Sequence, residues 1–340
     1  VTPHRRVLVL AVLVVVVLAG STAYAVSDLR RSQAQRSATP DVATTTARPS
    51  PSAGGFLAFR HTGLDQEYGV VATVPLDDPG GPRSFTGVAC DRVDATRTGA
   101  SCLVTERGVV TTYEARDLDA DWQVVGTSPL TGLPSRTRLS PDGSLVASTS
   151  FVTGHSYMQT GFSTATVVRR PGGDDGWGNL ETFALSIDGV VRAPADRNIW
   201  GVTFAADDDT FWATVATGGT TYLARGSLTA RTLTTIATDV ECPSLSPDGT
   251  RIAFKQAGTV QGRPGWTPAV LDLATGARTV LGGEDRDVDD QLAWLDDGTV
   301  LYGLPRPDEP GVSDVWSLAT APGATPRLLV EQAWSPSVVR

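Results

Sequence analysis

Lysine is nearly absent from the chain: Lys255 is the only one among 340 residues, and every other strongly basic side chain is arginine. Acids outnumber bases, for a formal charge of −9. That balance offers no basic footprint to neutralise a phosphate backbone, which excludes nucleic acid as a partner. Histidine and cysteine occur three times each and methionine once. His4 belongs to the leader, so His61 and His155 remain, too few for a histidine-built metal centre; no Cys-x-x-Cys or Cys/His zinc spacing occurs. Beyond residue 55 no segment sustains a helical period, which removes helix bundles and α/β sheets. No cofactor and no metal are implied.

What is present begins with an export segment. His4, Arg5 and Arg6 precede "VLVLAVLVVVVLA" (Val7 to Ala19), and Gly20, Ser21 and Thr22 lead to Ala23-Tyr24-Ala25. This is the charged, apolar and small-residue order of a secretory signal cleaved near Ala25. Counted on to Val26, the apolar stretch is also close to the minimum for a spanning helix. Residues 1–26 are therefore a signal peptide or a signal-anchor helix, and either one exports the rest of the chain. Ser21 stands where a lipoprotein would carry its lipidated cysteine, so a lipid anchor is not expected.

Residues 27–55 turn to Ser, Thr, Pro, Ala and Arg, as in "TPDVATTTARPSPSAGG". With little to bury, such a stretch does not offset its ordering entropy and reads as a flexible tether. The folded domain is expected over residues 56–340. In an oxidising compartment Cys90 and Cys102, flanking "DRVDATRTGAS", are placed to face each other across neighbouring strands as a disulfide. Cys242, before Pro243, reads as a buried thiol whose redox state the sequence leaves open.

The domain shows short runs of Val, Ile, Phe, Tyr and Thr separated by Gly, Pro and Asp, an all-β pattern. Two stretches repeat: "RLSPDGSLVAS" (Arg138 to Ser148) and "SLSPDGTRIAF" (Ser244 to Phe254). In Ser-Pro-Asp-Gly, proline presets the first turn dihedral, aspartate bonds the backbone ahead of it, and glycine accepts positive φ. Degenerate copies align on Gly99, Gly143, Asp209, Gly249 and Gly298, with the long interval assigned to an insertion at "FVTGHSYMQTGFST". Repeats of this length with four strands each are the propeller period. "AWSPSVVR" (Ala333 to Arg340) supplies a Ser-Pro turn and "GFLAFR" (Gly55 to Arg60) the strand after it, so the ends close one blade. Six blades are expected, with seven as the alternative.

These units, with Ile-Ala-Phe or Leu-Val-Ala after the turn, resemble the repeats of TolB-like (WD40-like) propellers. Gly132 to Gly143, Gly154 to Tyr157 and Val240 to Arg251 are similar to stretches of exported TolB-like proteins, and the likeness runs from Phe56 to Arg340. The resemblance implies the architecture and is poor for function, since such blades serve in transport, protease gates and binding. TolB carries an α/β domain ahead of its propeller for which these residues offer no candidate, so its partners are not carried over.

Chemistry is sparse. "GHSYM" (Gly154 to Met158) approximates a nucleophile elbow, but Met158 replaces the last glycine and no strand-to-helix context comes after it, so Ser156 is a polar loop residue. "DLDADW" (Asp117 to Trp122) opens like a calcium loop, but Trp122 sits where the turn glycine belongs and Ser128 where the bidentate glutamate belongs. Trp200, Trp212 and Trp294 fall on predicted strands and are expected in inter-blade packing. Long loops, by contrast, gather on the face opposite the Ser-Pro-Asp-Gly turns: residues 60–69, 151–164, 255–266, 304–314 and 282–290. Binding residues concentrate on loops held by a rigid scaffold. His61, His155, Tyr157, Trp266, Asp285, Asp287, Asp289 and Asp290 are thus the candidate partner-binding residues.

The functional expectation is a monomeric, non-catalytic, extracytoplasmic scaffold that binds a protein or glycan through the long-loop face. It touches the membrane through the N-terminal helix if that helix is uncleaved. The alternative is a metal-dependent propeller enzyme, lactonase- or cyclase-like, with an axial acidic site built from Glu241, Asp289 and Asp290.

Overall fold

The computed structural model describes residues 3–48, 54–152, 163–173 and 175–340. Six sheets stand in a ring, each starting at the central channel with its innermost strand. Blade 1 runs outward from Ala333–Val339 through Phe56–His61 and Val70–Pro75 to Ser84–Ala89. The inner strands of blades 2 to 6 are Arg92–Ala95, Leu133–Leu139, Asn198–Phe204, Glu241–Leu245 and Ala293–Asp296. Six blades, not seven, close the ring. The closure pairs the chain's last strand with the domain's first, Val339 opposite Phe56 and Ala333 opposite His61, so Phe56–His61 is not left as an open edge.

The repeated turns fold as their chemistry requires. Ser140 Oγ donates to Asp142 Oδ1 and accepts from Leu145 N, Asp142 Oδ1 also accepts from Ser144 N, and Gly143 N closes on Ser140 O. Ser246, Asp248, Thr250 and Gly249 repeat the set, with φ of 79° at Gly143 and 72° at Gly249. Both turns join an inner strand to the second strand of its blade, at Leu139–Val146 and Leu245–Ile252. Asp142 and Asp248 are structural.

Four expectations need correction. Ser335-Pro336 is not a turn: both residues lie inside Ala333–Val339, where Ser335 takes φ of 55° and the pairing shifts register as a bulge. The long interval is only partly explained by residues 151–164, because the hairpin Ala184–Ile187 and Val190–Arg192 adds two strands outside blade 4. Residues 255–266 are not a loop. They form the end of the hairpin between Arg251–Val260 and Arg263–Asp272, turned at Gln261 and Gly262, whose φ values are 48° and 80°, the conformation of a tight two-residue hairpin.

The fourth correction concerns the tether. The N-terminal helix spans Pro3–Ser37 and so runs well past Val26, where the apolar stretch ends. Between Ser21 and Thr39 there is neither glycine nor proline, and Ala, Arg, Leu and Gln favour helix. Pro40 comes next and ends it. Residues 38–48 then lie along blade 1. Thr45 N donates to Arg83 O, Arg83 N donates to Ala43 O, Gln66 N donates to Ala38 O, and Gln332 Nε2 donates to Asp41 Oδ1. Just ahead of the outer strand of blade 1, Arg83 offered unpaired backbone, and the strap fills it.

Apolar clusters lie between blades. They join blade 1 to 2, 3 to 4, 4 to 5, 5 to 6 and 6 to 1. Trp212 and Trp294 are buried there, as expected, and Trp200 is buried without belonging to these clusters. Among the described residues, blades 2 and 3 meet through polar contacts instead. Ser101 Oγ lies 2.6 Å from Thr137 Oγ1, and Arg169 clasps Asp117 at 2.6 and 2.9 Å.

Candidate functional site

The two faces of the ring differ in kind. On the long-loop face the candidate residues are mostly consumed by internal contacts. His61 is fully buried between Asp65, 2.9 Å from its Nε2, and Arg83, whose Nη1 lies 3.0 Å from Nδ1. Burial lowers its pKa against the pull of Asp65, so neutral His61 donates to Asp65 and accepts from Arg83. It is a structural histidine and not a surface contact. His155 and Tyr157, with Ser156, lie outside the described residues.

The acidic run is folded inward at Glu284 and Asp290 and exposed at Asp285, Asp287 and Asp289. Glu284 is buried, accepting from Arg286 at 2.6 Å and from Tyr302 Oη at 2.5 Å. Asp290, 1% exposed, accepts from Arg92 at 2.9 Å and from Gly303 N at 3.0 Å. Asp289 pairs with Lys255, which holds its carboxyl below the usual range although burial pushes the other way. Asp287 is exposed but accepts from Trp266 N at 2.7 Å, and Asp285 is exposed. Trp266 is not in a loop: it sits on Arg263–Asp272, half-buried, with Lys255 Nζ 4.3 Å from its ring centre. Glu241 pairs opposite Lys255 in the sheet. Glu241 and Asp289 thus both lie beside Lys255 while Asp290 turns to Arg92, and among the described residues no three His, Cys, Asp or Glu form a metal-holding group.

Among the described residues the opposite face carries a wide opening. The turns between inner and second strands surround the channel mouth and enclose a cavity of about 710 Å³. Phe204, Trp212, Trp294, Pro141 and Pro247 line it, with Asp142 and Asp248 in the rim turns and Arg138 at its inner end. The hydrogen bond from Ser246, then that from Thr250 N, lowers the Asp248 pKa to about 2. Asp142 is also lowered, by Ser140 and Ser144 against the effect of burial. Both aspartates therefore stay ionised at the rim, where Arg97 and Arg340 also stand.

Beyond Arg138 the channel narrows to about 20 Å³, lined by Arg92, Arg136, Arg138, Asp94 and Asp290, room for about one water molecule. Burial, and then the like charge of Arg136, lowers the pKa of Arg92 to about 10. The buried free thiol of Cys242 lies beside Arg136.

Nothing in the sequence reading pointed to this funnel. The available signal was "SRTRL" (Ser135 to Leu139), two arginines at alternate positions of an inner strand directly before a Ser-Pro-Asp-Gly turn.

Elsewhere the sequence expectations hold. Cys90 and Cys102 form a disulfide with Cα atoms 5.4 Å apart. Asp117 heads no calcium loop but pairs with Arg169, and Trp122 occupies the glycine position with φ of 64°. The helix Pro3–Ser37 is exposed, and from Leu8 to Gln35 it is long and apolar enough to cross a membrane, a test that export signals also pass. Helix and disulfide accord with a signal or anchor and with a place outside the cytoplasm.

Six four-stranded units closed by the terminal strand, with one blade extended, define a six-bladed β-propeller. Among solved structures the chain is similar to TolB from Acinetobacter baumannii, at 15% identity and a TM-score of 0.53, over 86% of this chain and 68% of that one. It is also similar to an oligogalacturonate lyase in complex with manganese, at 13% identity and a TM-score of 0.47, over 82% and 77%. At these identities the likeness shows the fold alone. No family model and no curated protein matches the sequence.

Proposed function

We propose that the chain is a non-catalytic extracytoplasmic binding scaffold that receives its partner in the funnel of the short-turn face. The funnel itself carries this reading: at about 710 Å³ it is within the size range of ligand sites and is walled by aromatic and proline side chains on rigid strand ends. Both carboxylates of the throat are held by arginine, Asp290 by Arg92 and Asp94 by Arg138, which leaves no free acid to serve as a general base there.

The helix joins the opposite face. Ala38 O accepts from Gln66 N in the loop between the second and third strands of blade 1, one residue after the helix ends. If residues up to Val26 span the bilayer, the rest of the helix is a stalk of about 18 Å. The strap then turns the long-loop face toward the membrane and the funnel away from it. The site shifts accordingly, from the long loops to the channel mouth.

The test uses a partly filled funnel. Ala206 lines it and is exposed, so Ala206→Trp narrows the opening without touching the core. Partners cross-linked to the full chain on intact cells should be lost in this variant and kept in a Glu67→Trp control on the long-loop face. Equal recovery from both would contradict the funnel as the binding site.

A further inference from the structure

The inner end of the funnel is richer in donors than in acceptors. Arg138 has only two hydrogen-bond contacts, both at the limit of length: 3.5 Å to Asp94 Oδ1 and 3.4 Å to Leu292 O. Its Nε has no partner. Asp94 cannot serve it better, because its Oδ2 accepts from Leu139 N and its Oδ1 from Ser337 Oγ, each at 2.8 Å. The Nε of Arg136 and the Nε1 of Trp212, which is 8% exposed, also lack acceptors. Three guanidinium groups line the throat against two carboxylates, and Asp290 is committed to Arg92 and Gly303 N. Buried donors without acceptors are uncommon in folded proteins, because each one forfeits its hydration.

We propose that Arg138 is the anion subsite of the funnel and takes a carboxylate from a bound polypeptide, an Asp or Glu side chain or a C-terminus. The inference rests on the funnel being the binding site. Guanidinium offers a planar fork that matches a carboxylate in two parallel hydrogen bonds, and Nη1 and Nη2 of Arg138 are held only by the two long contacts that a carboxylate would replace. The constriction of about 20 Å³ beyond it stops anything larger than a water, so the carboxylate ends its path at Arg138. The rim carries both signs, Asp142 and Asp248 beside Arg97 and Arg340, which suits a polypeptide of mixed charge over a uniformly acidic glycan. Asp142 and Asp248 stay ionised and repel a chain bearing a charge on every unit, whereas a peptide with one acid among neutral or basic residues passes them. Aromatic and proline walls suit its flanking residues.

The experiment is selection of displayed random dodecapeptides on the full chain in nanodiscs, followed by affinity measurement for individual synthetic peptides. Peptides whose binding Ala206→Trp abolishes should carry a conserved Asp, Glu or C-terminal carboxylate. Changing that acid to its amide should weaken binding on the order of tenfold to a hundredfold. The same peptides should lose comparably on Arg138→Gln and keep part of their affinity on Arg138→Lys. The amide peptide needs no protein variant, so a folding defect in Arg138→Gln leaves the test intact. Funnel-bound peptides without an acid preference, or with equal affinity for acid and amide, overturn the Arg138 assignment and leave the binding site standing. Preference for oligouronate over the acidic peptides in competition also overturns it. Recovery of no peptide sensitive to Ala206→Trp overturns the funnel reading and this inference with it.

Discussion

Asp117→Ala should be among the most damaging single substitutions in the propeller, although Asp117 lies in a stretch that resembles a calcium loop. Its side chain is 3% exposed and that of Arg169 is 5% exposed. The guanidinium meets both carboxylate oxygens at 2.6 and 2.9 Å, and Gly172 N adds a third hydrogen bond at 2.7 Å. Removing one partner of such a pair strands a buried charge, a loss of about 3–5 kcal/mol. No apolar cluster between blades 2 and 3 compensates among the described residues. At about 2 °C per kcal/mol for a domain of this size, the midpoint should fall by roughly 6–10 °C. Urea and thermal unfolding of Asp117→Ala, Arg169→Ala and the double variant measure the coupling. The double variant should be no less stable than Asp117→Ala alone, and calcium should not raise the wild-type midpoint. A loss below about 1 kcal/mol, additive single effects, or stabilisation by calcium would refute the assignment of Asp117 as a blade-to-blade clasp.

Three further outcomes are expected. Glu181, pushed up to about 7 by burial against hydrogen bonds from Thr166 N and Thr164, is protonated in the folded state where an ordinary carboxyl is ionised. Stability is then highest below about pH 4.5 and lost as pH rises through 7, so Glu181→Gln should gain up to about 3 kcal/mol relative to wild type at pH 8 and nothing near pH 4; equal differences at both pH values would count against it. Cys90→Ala with Cys102→Ala opens a short loop and should cost about 2–3 kcal/mol in urea unfolding. Thr45→Pro removes the N–H donated to Arg83 O, and elastase cleavage after Ala47, monitored by mass, should accelerate about fivefold, as expected for the loss of about 1 kcal/mol.

How far the fold could be read depended on the range of the interactions involved. The Ser-Pro-Asp-Gly turns are specified by contacts within five residues, so their sequence was sufficient, and ring closure came from matching a terminal strand to an initial one. The hairpin tip at Gln261-Gly262 was missed because Gly258, Gly262 and Gly265 resemble loop composition. The strand pairing that overrides them runs the full length from Arg251 to Asp272. The strap was missed because composition does not reveal the exposed backbone at Arg83. The funnel was missed for a subtler reason. The pairing of Leu133–Leu139 shifts register between Pro134 and Arg136, so simple alternation from the start of the strand does not tell which side chains face the channel. The acidic run 284–290 misled in the other direction: charge density suggested an outer surface, while Arg92, Arg286 and Lys255, distant or adjacent in sequence, supplied internal partners.

The most direct test of the central claim is site-specific photo-crosslinking in intact cells, with a benzophenone side chain placed on each face of the full chain. Positions Ala206 and Pro247 at the funnel, and Tyr68 and Asp308 on the long-loop face, sample the two possibilities. The funnel positions should yield a discrete polypeptide adduct, and the long-loop positions should yield none. A discrete adduct from Tyr68 or Asp308 with none from Ala206 or Pro247 would contradict it.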